Sequence, residues 1–296
     1  MTITLVSKAV PGGLAANDAG FRSLGAAVMG VFDDLGYTSV YNTMDWGTAT
    51  YPGVNSTYVG KKVYQFDDAL SPTQEVYFSV EVGQGTSSTA AIGYRVRFVV
   101  GTTHADGTIG GQVQTHYIGI GSTTTLEGEI VGVRTDAGFT IFSNMPYTGS
   151  YAGQWEFCAE RLRIDGEPTV DGLVTFTCGT GADSSGTNGT PQCQASNFAL
   201  STVYTAYGSQ WSYLPSAVRM TDNILIDYKC PVFPIYTFGK YDPYLGVILT
   251  TRSVPDLSVF SAKVDGVTHT YRSSSGNSGV DGYQSAGNVR PAFLVA

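Results

Sequence analysis

Charge is scarce in this chain. Only 14% of its 296 residues are Asp, Glu, Lys or Arg, against about 25% in an ordinary soluble domain. The balance is acidic, 24 against 16 for a net charge of −8, and no basic run occurs. That excludes nucleic acid as a partner, because neutralising phosphates requires clustered cations. Long apolar runs are missing as well. None approaches the ~18–20 residues of a membrane span, and the opening MTITLVSKAVPGG lacks the apolar core of a secretory signal. The four cysteines, Cys158, Cys178, Cys193 and Cys230, contain no C-x-x-C pair and match no zinc spacing. Cys178 and Cys193 flank one loop, and a bridge between them is left open; a chain made in a reducing cytosol keeps thiols.

Catalytic patterns are equally thin. His104, His116 and His269 stand far apart, outside any H-x-x-x-H or H-E-x-x-H spacing, and there is no G-x-S-x-G, P-loop or dinucleotide-binding glycine pattern. Three weaker options remain. His104, Asp106 and His116 could meet in space. Glu127 and Glu129 share a strand face roughly 7 Å apart, a separation glycoside cleavage can use. Asp183 and Asn188 offer oxygens for calcium but lack the D-x-[DN]-x-[DN]-G order. Solvated strand faces and loops account for each more simply. The expectation is therefore no catalytic residue, no metal and no cofactor.

What the chain does have is glycine (37), tyrosine (19) and a 42% apolar fraction, together with abundant Ser and Thr. β-Branched and aromatic residues suit pleated surfaces and glycine turns corners, so the composition predicts many short strands. Alternation supports this directly. In EVYFSVEVGQG (75–85), Val76, Phe78, Val80 and Val82 point one way. AIGYRVRFVVGTT (91–103) alternates likewise, with Arg95 and Arg97 expected on the solvated side. Further strands are expected in 60–68, 112–122, 126–135, 138–145, 154–164, 172–181, 203–209, 246–255 and 262–273. The segment 223–242 carries Pro231 and Pro234, which confines it to an edge or a crossover. Loops are expected at GADSSGTNGTPQ (181–192) and RSSSGNSGVDGYQSAGN (272–288).

One segment departs from this style. In ANDAGFRSLGAAVMGVFDDLGYTSV (16–40), Asn17 and Asp18 can cap a first turn. Phe21, Leu24, Val28, Phe32 and Leu35 recur at helical spacing, and Gly36 stands where a left-handed C-cap belongs. Gly25 and Gly30 each cost roughly 1 kcal/mol of helix propensity, which predicts close backbone approach, with the helix lying tight against a sheet. The acidic outer side, with Asp33 and Asp34, argues against a membrane-surface helix. The expected fold is mainly β: an antiparallel β-sandwich with one N-terminal amphipathic helix packed on the sheet. It is read as a single β-rich domain over 1–296 with a seam near 145–155, separating the helix and first sheet (1–150) from a second β-rich half (151–296).

Aromatic residues crowd the second half. Tyr204, Tyr207, Trp211 and Tyr213 cluster in VYTAYGSQWSYLP, and Tyr236, Tyr241 and Tyr244 follow within forty residues. Rigid rings with a polar tip are favoured at interfaces and can stack on sugars, so these seven are the interface candidates beside their bland role in a core.

The run DAGFRSLGAAVMGVFDDLGY, then VYQFDDAL, VYFSVEVGQG and VRFVVGTTHADGTIGG, resembles the opening of virion structural proteins of tailed bacteriophages. In that group a D-A-x-F-R helix leads to a glycine followed by Trp or Tyr, here Gly36 and Tyr37. An F-[ND]-D-A-L corner follows, then strands ending in G-x-G and in V-G-T with a later D-G. The resemblance covers about residues 1–111. It implies a particle subunit, most readily tail-associated in a baseplate, collar or fibre attachment, located in the virion after synthesis in host cytoplasm. Its partners would be other virion proteins and copies of itself, with a host-surface glycan left open; it supplies no catalytic residues. The alternatives are a head decoration or vertex protein and, from another class, a free carbohydrate-binding β-sandwich module.

Overall fold

The computed structural model describes residues 2–12, 17–53, 57–84, 94–120, 127–144, 155–179, 192–198, 202–207, 232–234, 241–242, 245–251, 258–264, 266–273 and 289–296. In chain order these form β1 (Thr4–Val10), α1 (Asp18–Asp34), β2 (Thr38–Asn42), β3 (Tyr58–Gln65), β4 (Tyr77–Gln84), β5 (Tyr94–Ala105), β6 (Thr108–Ile120), β7 (Gly128–Arg134) and β8 (Gly138–Asn144). There follow β9 (Trp155–Ile164), β10 (Glu167–Gly179), β11 (Gln192–Asn197), β12 (Thr202–Tyr207), β13 (Val232–Pro234), β14 (Val247–Thr251), β15 (Val259–Val264), β16 (Val267–Ser273) and β17 (Val289–Leu294). The expected loop at 181–192 lies outside the described residues up to 191, as does 274–288 of the second.

The strands assemble into three antiparallel sheets. The first half supplies a five-stranded meander, β2-β3-β4-β5-β6. A seven-stranded sheet, β1-β7-β8-β9-β10-β11-β12, draws on both halves, since β8 and β9 on either side of residues 145–154 pair directly. The third sheet runs β13-β14-β17-β16-β15, and Pro234 sits on its edge strand, where a missing donor does no harm. Sequence alternation had not revealed β1, β11 or β17.

Meander and seven-stranded sheet pack face to face. Val76, Phe78, Val80 and Val82 all point into this interface and are fully buried. Phe98 of β5 stacks on Phe157 of β9 at 4.4 Å, and Phe78 of β4 lies 4.6 Å from Phe139 of β8. Side chains alternate along a strand, so Phe142 and Glu160 emerge on the far face. There the third sheet docks: Phe142 stacks on Phe293 at 5.1 Å, and Glu160 accepts from the Gly246 amide at 3.0 Å. The sandwich thus carries a third layer. Being covered on both sides explains why β9 is buried from Trp155 to Arg163 without the alternation of a half-exposed strand.

Helix α1 begins as expected. The Asn17 side chain accepts from the Gly20 amide at 3.0 Å, and Gly36 adopts a φ of 77° just past the last turn. Phe21, Leu24, Val28, Phe32 and Leu35 are all buried. The helix is wedged between the two sheets at their open side. Phe32 meets Tyr64 at 5.5 Å, Phe78 at 5.1 Å and Phe98 at 6.1 Å on the meander, and Phe139 at 5.1 Å on the seven-stranded sheet. Gly132 of β7 makes room for it, because a Cβ there would overlap Val31. Gly25 is needed for a different neighbour: a Cβ would overlap the Trp46 indole from the segment after β2.

The β5–β6 hairpin is bent. Register slips between Val100 and Gly101, which pair with Gln114 and Gln112 and leave Val113 as the extra residue; Gly111 and Gly110 follow on the tip side of the slip. A Cβ on Gly101 would strike the Gly110 carbonyl. Beyond this bend the hairpin tip, residues 102–109, turns back over the outer face of the meander as a strap. It closes in an Asp106-Gly107 turn with φ of 47° and 78°, the left-handed pair that a two-residue hairpin requires. Asp165-Gly166 makes the same turn between β9 and β10, with φ of 53° and 86°.

The outer face of the meander overturns one expectation. Arg95 and Arg97 were expected in solvent, yet Arg95 is buried and Arg97 half-buried. The outer face of the meander is roofed rather than open, and Val63, Ser79 and Glu81 on it are buried too. Arg97 donates through Nε to Glu81 at 3.0 Å, lies 4.2 Å over the Tyr58 ring, and faces Glu81 across the strand pair.

Candidate interaction surface

The residues that carry the resemblance converge on two arginines. Arg134, the last residue of β7, reaches back to the end of α1 and across to the end of β3. Its Nη1 donates to the Leu35 carbonyl at 3.2 Å and the Gly36 carbonyl at 2.8 Å. Its Nη2 donates to Phe66 at 3.3 Å and Asp67 at 3.0 Å. The guanidinium also lies 4.3 Å over the Tyr37 ring. Helix C-terminal carbonyls lack intrahelical donors, so one planar, always-charged fork satisfies that of the C-cap Leu35 together with the next carbonyl, Gly36, and ties the F-D-D-A-L corner to the same point.

Arg161 of β9 holds the other side of that corner. Fully buried, it grips Asp68 through Nε at 2.5 Å and Nη2 at 3.0 Å, and its Nη2 also donates to the Gln74 carbonyl at 2.7 Å. Asp68 in turn accepts from the Leu70 amide and the Ser71 hydroxyl, shaping the turn between β3 and β4. Asp67 has a φ of 52° and accepts from the Thr38 hydroxyl at 2.7 Å. Neither arginine was recognisable in advance; each stands at or near a strand end with no local pattern to mark it.

The acidic residues at the end of α1 hold the fold. Asp33 accepts from Lys62 at 2.5 Å and from the Tyr64 hydroxyl at 3.1 Å, while Asp34 pairs with Lys8. Burial, reinforced by the Asp33 charge, pushes the Tyr64 phenol far above its usual range. Glu129 accepts from the Ser7 hydroxyl and pairs with Arg272 at 3.3 Å, whereas Glu127 is exposed just ahead of β7. His104 and His116 are not brought together: His104 pairs with Ile109 and His116 with Phe98, six positions apart along β5. Among the described residues no group of three or more His, Cys, Asp or Glu could hold a metal ion. Asp183 and Asn188 lie outside the described residues.

Other charges join the layers. Glu160 is buried under the third sheet with its acidity weakened by desolvation, although Arg163 at 2.9 Å and the Gly246 amide work against that shift. Cys158 is fully buried. Cys193 pairs with Phe176 and Cys178 with Glu156, so these two cysteines are offset along adjoining strands rather than opposite each other.

The interface candidates divide. Tyr204 and Tyr207 lie on β12, the last strand of the seven-stranded sheet, opposite Ala195 and Gln192. Trp211, Tyr213, Tyr236 and Tyr244 lie outside the described residues. Tyr241 is turned inward, its hydroxyl donating to Asp171 at 2.8 Å and so joining its segment to β10. The aromatic-rich stretch 204–244 therefore spans from the last strand of one sheet, β12, to the edge strand of another, β13. No helix among the described residues is long and apolar enough to cross a membrane. Compared with family models, curated proteins and solved structures, the chain matches none.

Proposed function

We propose that this chain is a structural subunit of a tailed-bacteriophage particle, tail-associated in a baseplate, collar or fibre attachment, and that it works by packing rather than chemistry. The supporting observation is the fate of the shared residues. Gly36, Tyr37, Phe66, Asp67 and Asp68 meet at Arg134 and Arg161, and Gly101 and Gly107 bend and close the strap. A recurrent pattern spent on clamps and bends marks a scaffold whose specific work lies on its periphery. The aromatic-rich sequence that begins at Tyr204 on β12 is the part of the chain best suited by composition to neighbouring subunits, because rings give large contact area at low entropic cost.

The test is direct. Particles purified by density gradient are digested and their peptides counted, and intact particles are labelled with an antibody against the chain and imaged. Several copies per particle with label on the tail is the expected result. Label on the head would move the chain to a decoration or vertex role. Absence from particles, with the chain abundant as a free monomer in the lysate, would overturn the proposal.

A further inference from the structure

The strap over the outer face of the meander is held at its tip by a small set of contacts. The Gly107 amide donates to His104 Nε2 at 2.9 Å, closing the turn on itself. The Gly107 carbonyl accepts from Lys61 Nζ at 3.0 Å. Gly107 rests on the Tyr41 ring, where any Cβ would overlap it, and the His104 ring lies 6.1 Å from Tyr41 and 5.6 Å from Tyr77. Beneath the strap Glu81 is buried between Arg97 and Lys61. The glycines Gly101, Gly110 and Gly111 stand at its base, where the register slips.

One of these contacts exists in only one protonation state. A ring nitrogen accepts a hydrogen bond only while it carries no proton, and an imidazolium is a donor at both nitrogens. Histidine is the side chain whose charge ordinarily changes between about pH 5 and 8. We infer that His104 and Gly107 form a proton-released clasp: neutral His104 pins the strap tip over the outer face of the meander, and protonated His104 lets it lift about the glycine base. Protonation sets two N–H donors against each other. The rings that face His104 are Tyr41 from β2 and Tyr77 from β4, with Glu75 bonded behind Tyr77; Lys61 from β3 holds the Gly107 carbonyl, and Asp106 shares the turn. Lifting the tip would uncover Tyr41 and the Lys61–Glu81–Arg97 group, a charged surface on a face otherwise roofed at neutral pH.

The clasp predicts a tautomer. Nε2 must be bare and Nδ1 protonated, the reverse of the form imidazole prefers in water. The ¹⁵N-labelled full chain, examined by long-range ¹H–¹⁵N spectra at pH 8, should show that signature at His104. Between pH 8 and pH 5 the protection of the Gly107 amide, corrected for intrinsic exchange, should fall about five- to tenfold, as expected for losing one hydrogen bond. Two variants separate clasp from packing. His104→Gln keeps a carbonyl acceptor that does not titrate, so protection should persist at both pH values. His104→Phe keeps the ring and loses the acceptor, so the tip should be unprotected at both. An Nε2–H tautomer at pH 8, or the same pH dependence in wild type and both variants, would overturn the inference.

Discussion

Arg134→Met removes the fork that joins α1 to the corner after β3 while keeping a side chain long enough to lie over Tyr37. Four backbone carbonyls lose their donor. Those of Leu35 and Phe66 are partly sheltered, and those of Gly36 and Asp67 lie at the surface, where water can replace the guanidinium. Taking about 1.5 kcal/mol for each sheltered bond and ~0.5 kcal/mol for each exposed one gives about 4 kcal/mol. Retained contact between Met and the ring returns part of this, leaving about 3 kcal/mol. Arg134→Lys is the informative companion: one ammonium can serve the helix end or the corner but not both, so about half of the loss should remain. Urea unfolding followed by tryptophan fluorescence reads both variants as a lowered midpoint at constant slope. Hydrogen exchange should show the last turn of α1 and residues 66–71 opening together in the Met variant. If Arg134→Met stayed within ~1 kcal/mol of wild type, or the Lys variant fell as far as Met, the fork would not be what fastens the helix.

Two further outcomes follow from packing and charge. Gly25→Ala should destabilise even though alanine gains about 1 kcal/mol of helix propensity, because its Cβ overlaps the Trp46 indole, which packs 5.6 Å from Phe21; a displaced, red-shifted Trp46 with a lower melting temperature is expected, and a more stable protein with unchanged emission would refute it. His269 is held below its ordinary 6.5 by burial first, then by Arg163 and the N-terminal ammonium. The native state therefore resists a proton that the unfolded chain accepts. The stability His269 contributes is present above about pH 6.5 and is lost as pH falls. Glu160, raised by burial, has the opposite sign, so the comparison must be with His269→Gln. Wild type should lose urea midpoint more steeply than that variant between pH 7.5 and 5, and parallel slopes would show that His269 is not the source.

The sequence disclosed whatever was periodic or locally capped. Phe21, Leu24, Val28, Phe32 and Leu35 marked the buried side of α1, Asn17 and Gly36 its ends, and Phe78, Val80 and Val82 the inner face of β4. It hid whatever depended on a distant partner. β11 (QCQASN) is polar and gains its place only by pairing with β10 and β12. β1 pairs β7 from more than a hundred residues away. The third layer was hidden for the same reason: Phe142 and Phe293 look like ordinary strand residues until they stack. Arg134 and Arg161 show the limit most plainly, because a clamp between residues 35, 67 and 134 has no spacing that a window along the chain can detect.

The same limit changes what the low charge content means. Read from composition, 14% charge implied outer surfaces that are neutral and easily desolvated. The fold takes more charge out of solvent: Glu81, Arg95, Glu156, Glu160, Arg161 and Arg163 are all buried. Burying charge does not add net stability over apolar packing, since desolvation offsets the attraction. Its use here is positional. Arg161 fixes the β3–β4 corner, Glu160 seats the third sheet, and Glu81 with Arg97 lies under the strap. Charge drawn inward to set the geometry of the layers leaves the exterior still poorer in charge than composition indicated. A surface of that kind is cheap to desolvate against a neighbouring subunit, and that property, rather than any cluster of reactive groups, makes the particle reading the one to test first.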